Sequence, residues 1–185
     1  MFLFSKPGLI IIERFLESKK ESAFSYPNLG DTKPDNDYSQ LRLDYTIDHN
    51  RIIIGNGGAD FERAKEAIRN WKMFDFDWLE LCWPTTPLEV NRSVAILIRH
   101  FGFYSLNAAR IVYVLDEPNR FGFAYGTLAE HGESGEERFS VDFNEATGEV
   151  CYDLFAFSRP NHFLAKLGYP LVRNLQKQFA KDSKA

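Results

Sequence analysis

Arg110, Tyr125, Thr127, Glu137 and Asp153 are polar side chains set inside apolar runs, and these are the residues with chemistry to offer. The runs alternate as β-strands do, so the pairing of neighbouring strands decides which side chains share a face. A hairpin closed around Ala129–Gly135 sets Tyr125 opposite Phe139, Phe123 opposite Val141 and Thr127 opposite Glu137. A second, around the EPNR turn, sets Arg110 opposite Thr127, and a third, around Asn144–Gly148, sets Asp153 opposite Phe139. One face then holds the row Arg110–Thr127–Glu137, with Tyr125 and Asp153 beside it and Phe123 and Phe139 as apolar wall. Such a row can anchor the polar head of an amphipathic ligand. A buried Arg–Glu pair gains little stability, because desolvation offsets the attraction, which points to function. The alternative is a partly wet structural ion pair at the rim of the sheet. A one-residue slip would turn any of these strands over.

Glu137 and Asp153 also suit an acid–base pair, since a carboxyl in an apolar pocket has a raised pKa. Pairing with Arg110 would keep Glu137 ionised and favours anchoring over catalysis. Other chemistry fails on spacing. His49, His100, His131 and His162 are scattered, with no H-E-x-x-H and no i, i+4 pair, so no metal site is expected. His131 sits in the turn-like AEHGESG. The GNGG at Gly55–Gly58 lacks the Lys-Ser/Thr of a phosphate loop and reads as a strand-to-helix turn. No G-x-S-x-G elbow is present, and Ser158 in FSRP ends a strand. Cys82 and Cys151 lack metal-ligand spacing and read as buried free thiols of a reducing compartment. No cofactor is implied.

The elements that must position these residues follow from periodicity. Leu9 to Lys20 predicts an amphipathic helix with Leu9, Ile12, Phe15 and Leu16 on one side, and Glu21 to Gln40 an ordered loop tethered by Phe24, Tyr26 and Leu29. Leu41 to Ile54 reads as one or two strands broken near Asp48-His49-Asn50. A helix over Ala59 to Met73 follows, its stripe Phe61, Ala64, Ile68 and Trp71. Strands are expected at Trp78–Trp83, Leu88–Arg99, Ala108–Leu115, Phe121–Leu128, Glu136–Phe143 and Val150–Phe157. Pro160-Asn161 starts a helical turn with Asn161 as N-cap, and Pro170 opens a helix to Lys181. That helix sets Leu171, Leu175 and Phe179 against the sheet, with Arg173, Lys177 and Lys181 opposite.

Composition bounds the functional classes. A chain of 185 residues with 44% hydrophobic and 26% charged residues fits one domain, here an extension over 1–40 and a core over 41–185. Aromatics at 15%, including 17 Phe, favour a wide-bodied fold. A net charge of −4 argues against nucleic acid as a partner. No run of about 18 apolar residues is present, so no integral membrane segment is expected. The opening MFLFSKPGLIIIERF lacks a basic n-region and reads as a helix, not a signal peptide, consistent with a cytoplasmic protein. Cations gather at the C-terminal end, where Arg159, Lys166, Arg173, Lys177, Lys181 and Lys184 face only Asp182. They suit peripheral contact with an anionic membrane or an acidic partner, or simply complement the helix dipole while solvated.

The strings FGFAYGTLAEHGESGEERF, AFSRP and GYPLVRNLQKQFAKDS resemble uncharacterised protein family 0548, as do FSYPNLG, the GNGG helix with Trp71, and NAARIVYV upstream. The resemblance covers nearly the whole chain and brings no reaction with it. Its pattern is similar to the START-like or pollen-allergen-like helix-grip fold: α+β, a curved antiparallel sheet wrapped around a long C-terminal helix. The N-terminal helix and the loop Glu21–Gln40 depart from that pattern, preceding its usual first strand, and are expected to cap the cavity mouth. The resulting expectation is a protein that binds a hydrophobic or amphipathic, lipid-like small molecule between sheet and helix, through Arg110, Tyr125, Thr127, Glu137, Asp153, Phe123 and Phe139. A cyclase- or hydratase-type enzyme using Glu137 or Asp153 is the second reading. An interaction module using the basic helix is the third.

Overall fold

A computed structural model describes residues 1–129, 131, 133–161 and 169–183, apart from the side chains of 169–172. The elements run β1 (Phe2–Leu3), α1 (Leu9–Ser18), α2 (Leu41–Asp44), β2 (Thr46–Asn56), α3 (Gly58–Arg69), a 3-10 turn (Lys72–Phe74), β3 (Leu79–Leu81), β4 (Ser93–Arg99), β5 (Tyr104–Glu117), β6 (Arg120–Thr127), β7 (Glu133–Phe143), β8 (Glu149–Pro160) and α4 (Tyr169–Asp182). The strands form an 8-stranded antiparallel sheet of order β2-β8-β7-β6-β5-β4-β3, with β1 added beside β5. Leu41–Asp44 is a helical turn, and β2 runs unbroken through Asp48-His49-Asn50, because that whole stretch pairs with β8.

Both longer helices of the core pack on one face, the inner face. Phe61, Ala64 and Ile68 of α3 and Phe179 of α4 join Trp71, Phe74, Phe123, Phe139 and Val141 in one buried cluster. The rings interlock: Phe139 lies 5.3 Å from both Phe74 and Phe123, and Phe179 lies 5.4 Å from Phe74. The apolar half of the inner face is thus filled by its own side chains. This is the helix-grip arrangement, with α4 laid over the sheet. Phe179 is buried, as the stripe predicts, whereas Leu175 is only half-buried. The side chain of Leu171, and the residues that would continue the expected turn from Pro160-Asn161, lie outside the described residues.

The N-terminal extension lies on the opposite, outer face. Ile12 of α1 packs on Ala95, Leu97 and Leu106, while Leu9 on the expected apolar side is exposed. Residues 24–38 cross β6, β7 and β8, where Tyr26 packs against Phe157 and Tyr38 stacks on Phe155 at 4.1 Å. The extension therefore covers the far side of the sheet and does not cap a cavity mouth. Gly126 makes this possible, because a methyl group there would overlap the Tyr26 hydroxyl.

Two local features set the strand faces. In β5, Ile111 pairs with Tyr125 but Tyr113 pairs with Ala124, so Val112 is an extra residue, a β-bulge. Arg110 and Tyr113, three apart, consequently share the outer face. In the β7–β8 turn, Asn144 Oδ1 accepts the Ala146 and Thr147 N–H groups and Gly148 takes a φ of 74°. Asn144 and Glu149 then close the turn, Phe143 pairs with Val150, and Asp153 stands opposite Ser140 rather than Phe139.

Candidate functional site

Of the expected row, the structure keeps Tyr125 and Glu137 together and separates the rest. Glu137 pairs with Tyr125 across β6 and β7, two residues from the expected register and so on the same face. The Tyr125 hydroxyl donates to Glu137 Oε2 at 2.7 Å. Phe123 and Phe139 lie directly beside them, paired with each other. Among the described residues this hydroxyl is the one hydrogen-bond partner of Glu137, and no cation forms a salt bridge with it. Burial pushes the Glu137 carboxyl up to about 7, partly offset by the Tyr125 hydrogen bond and reinforced by the negative charge of Asp48. Burial likewise drives Tyr125 well above its ordinary value, so the phenol stays a donor.

Arg110 is not there. Its guanidinium is on the outer face, donating to the Lys19, Lys20 and Ser22 carbonyls at 2.9, 2.7 and 2.9 Å, and Nε reaches Ser93 Oγ. The bulge at Val112 is the cause, and Arg110 holds the end of α1 in place. Thr127 bonds Ser25 Oγ at 2.6 Å and accepts the Gly135 N–H at 2.9 Å, fastening the extension to the sheet. Asp153 also lies on the outer face, turned there by the one-residue shift at the Asn144 turn.

Around Glu137 the inner face is polar under the first turns of α4. Asp48 stands next to Ala156, itself opposite Glu137, and takes a two-pronged contact from Arg173, with Nη2 at 2.8 Å. Arg173 is therefore not part of a merely solvated face, unlike the exposed Lys177 and Lys181. Gln176 donates to Ser158 Oγ at 3.1 Å. Both carboxyl oxygens of Glu133 are buried near Ser158, Gln176 and Arg173, and the hydroxyl of Tyr152 is buried near Ser183. Burial raises the Glu133 carboxyl, against weaker opposing effects of Ser158, Arg173 and Gln176.

The outer face carries a second polar cluster that the sequence reading missed. Glu136, 2% exposed, accepts from the Tyr26 hydroxyl at 2.7 Å, the Gly30 N–H at 2.8 Å, the Thr32 N–H at 3.2 Å and the Thr32 hydroxyl. Arg138, 3% exposed, pairs with Asp153 at 2.8 Å and donates to the Thr32 carbonyl. Asp153 also receives His49 and Arg51. Burial alone would raise the Asp153 carboxyl, but Arg138 and His49 together hold it below the usual carboxylate range. Apart from Arg138 Nε, the donors and acceptors named here serve one another, so this cluster clamps the extension down. Its signal in the sequence was FSYPNLG, which supplies Tyr26 and Gly30.

Elsewhere, a cavity of about 510 Å³ opens at the β3 edge, its wall including Lys6, Trp71, Phe76, Trp78, Cys82 and Tyr104. None of the expected site residues lines it. Burial raises the Cys82 thiol to about 11, and Cys82 and Cys151 are both half-buried and unpaired. Among the described residues no cluster could hold a metal, and no helix is long and apolar enough to cross a membrane.

Comparison with known proteins places this architecture. A hypothetical protein of Helicobacter pylori superposes with a TM-score of 0.52 over 88% of this chain and 94% of its own, at 14% identity, a likeness of fold alone. A UPF0548 protein of Dictyostelium discoideum is 35% identical over 99% of this chain and 92% of its own length. A UPF0548 protein of Arabidopsis thaliana is 34% identical over 89% of this chain and 85% of its own. The profile of a domain of unknown function, DUF1990, matches residues 25–185, which include both the Tyr26–Glu136 clamp and the Tyr125–Glu137 pair. The chain belongs to the UPF0548 family.

Proposed function

We propose that the protein binds a small amphipathic molecule on the inner face, its polar end on Tyr125 and Glu137, beside the buried rings of Phe123 and Phe139. The observation that carries this reading is Glu137 itself. A carboxyl taken into an apolar interior costs stability unless it is paired, and among the described residues a tyrosine hydroxyl alone hydrogen-bonds it. Structural carboxyls in this same sheet look different: Glu136 has a full set of donors and Asp153 has its arginine. Glu137 is only part-buried, which leaves it some exposure for a ligand to meet. Because the aromatic rings fill the apolar half, the site suits a short ligand rather than a long acyl chain.

Native mass spectrometry of freshly purified protein tests this. A co-purified small molecule is expected on the wild type and reduced at least tenfold on Glu137→Gln. Equal occupancy of both proteins would refute the assignment.

One observation favours a second reading, an acid–base enzyme. A carboxyl titrating at about 7 beside a phenol can exchange a proton at neutral pH. Asp153 drops out of that reading, since it is held by Arg138 on the other face. Recovery of the bound molecule chemically changed after incubation would distinguish catalysis from carriage.

A further inference from the structure

We propose that one end of the sheet docks on a phospholipid bilayer, through a surface built from β1, the first turn of α1 and the β4–β5 turn. Phe2, Phe4, Leu9, Ile10, Ile11 and Phe101 are exposed apolar residues of these three elements. Phe4 is 95% exposed and Phe101 fully so, which means that neither ring finds cover on the protein itself. Single exposed apolar side chains are ordinary on a protein surface, whereas a gathered set marks a contact surface.

Strand pairing does the gathering. Phe2 pairs with Ser105 and Leu3 with Tyr104, so the chain brings Phe4 alongside Phe103, at the turn whose tip is Phe101. The Phe2 and Phe103 rings meet at 5.9 Å. α1 reaches the same end. The carbonyls of Lys19 and Lys20, just past its C-terminus, are held by Arg110, which pairs with Ser93 at the start of β4. Ile12 packs on Ala95, Leu97 and Leu106. The helix therefore runs back along β4, and its first turn lies toward Arg99 at the far end of that strand. That first turn, Leu9-Ile10-Ile11-Ile12, is apolar on every side, and only Ile12 of it is buried.

Shape and charge identify the occupant. The rings of Phe4 and Phe101 project from separate elements and form no groove. Two such convex ends pressed together would leave water between them, whereas a bilayer closes around each side chain separately. Phenylalanine and isoleucine suit the boundary between headgroups and acyl chains. Lys6 and Arg99 stand two residues from Phe4 and Phe101, and Arg14 stands one helical turn from Ile10, all three exposed. With the apolar side chains inserted, these cations lie at the depth of the lipid phosphates, where long basic side chains extend to meet them. Glu80 is matched by Lys6 at 2.6 Å, and the exposed acids Glu13 and Asp77 balance Arg14 and Arg99. Insertion, rather than attraction by net charge, is thus what holds the surface down.

Flotation of the full chain with phosphatidylcholine vesicles, with and without phosphatidylserine, tests the proposal. The wild type is expected to bind both, with little gain from phosphatidylserine and little loss in high salt. Phe4→Ser combined with Phe101→Ser should weaken binding roughly tenfold or more. Its melting temperature should match the wild type, since neither ring packs on the protein. Ile10→Gln, on a different element, should weaken binding by a smaller factor. Failure of the wild type to float with either vesicle, or binding that ignores these substitutions, would overturn the proposal. So would binding that requires phosphatidylserine and vanishes in high salt. A wild-type dimer in sedimentation equilibrium, made monomeric by the two phenylalanine substitutions, would assign the surface to a second copy of the chain instead.

Discussion

Glu136 and Glu137 are consecutive in β7, yet they point to opposite faces of one sheet and meet opposite treatment. Glu136 is gripped by Tyr26, Gly30 and Thr32 of the extension. Glu137 meets one tyrosine and has its pKa raised to about 7. Alternation in a strand separates the two environments at no cost in length, one carboxylate closing the structure and the other left available.

Glu136→Ala should be among the most destabilising changes in the protein. It leaves the Tyr26 hydroxyl and the Gly30 and Thr32 N–H groups buried without an acceptor. A loss of about 3–5 kcal/mol is expected by denaturant unfolding. Limited proteolysis should show cleavage within residues 21–40 at protease levels that leave the wild type intact.

Glu137→Gln should act in the other direction, with a pH signature. The folded-state pKa is raised from an ordinary 4.5 to about 7, so the folded protein binds more protons than the unfolded chain between those values. Stability contributed by the neutral form is lost as pH rises through that window, and above it the full cost of the buried charge is present. The amide should therefore stabilise the protein by about 1–3 kcal/mol at pH 8 and leave it nearly unchanged at pH 4.5. Melting temperatures of both proteins across this range would show the crossing, and parallel curves would contradict it.

The Arg138–Asp153 pair should follow the rule for buried ion pairs. Asp153→Asn leaves Arg138 buried and unbalanced, at a cost of about 3–5 kcal/mol near neutral pH. Because the Asp153 carboxyl is held below its ordinary value, its contribution is present above that ordinary value and lost as pH falls through the folded one. Replacing both residues by apolar ones of similar volume should recover most of the loss, which a double-mutant cycle would measure.

Grip of the sheet by α4 rests mainly on Phe179. It is 8% exposed and meets Phe74, Phe76 and Phe139, so Phe179→Ala should cost about 3–5 kcal/mol. Leu175, half-buried, should cost less than the full range for a core leucine. A Phe179→Ala change below about 0.5 kcal/mol, typical of surface positions, would mean that the helix does not hold the sheet.

Charge reversal on α4 should separate its two kinds of cation. Lys177→Glu with Lys181→Glu changes exposed positions and should leave stability within about 0.5 kcal/mol. Arg173→Glu should be clearly destabilising, since it places a third carboxylate beside Asp48. Sedimentation with anionic vesicles at low salt should find no difference between the wild type and the double reversal; binding lost on the double reversal would instead make α4 a membrane-contact face.

Strand faces were legible wherever the error in register was even. The β6–β7 hairpin lies two residues from its expected pairing, so Phe123, Tyr125, Glu137 and Phe139 still share one face. Errors of one residue moved everything. Val112 as an added residue and the closure of the Asn144 turn at Glu149 sent Arg110 and Asp153 to the outer face. Neither has a sequence mark that counting by twos can detect: Val112 is an ordinary strand residue, and Asn144–Gly148 permits more than one closure. The outer cluster stayed hidden for a related reason. Glu136 and Arg138 fall on the face that alternation assigns to solvent, and only the path of the extension buries them.

The Tyr26–Glu136 contact spans 110 residues of chain. During synthesis Tyr26 leaves the ribosome well before its acceptor exists, by roughly 5–20 s at ordinary elongation rates. Throughout that interval the aromatic residues of the extension have no surface to cover, and the strand that will receive them is still unmade. Docking of residues 24–38 is thus a late event in folding, following completion of β7 and β8 rather than nucleating them. A nascent chain stalled before Glu136 would present Phe24, Tyr26 and Tyr38 uncovered, as a binding stretch for chaperones.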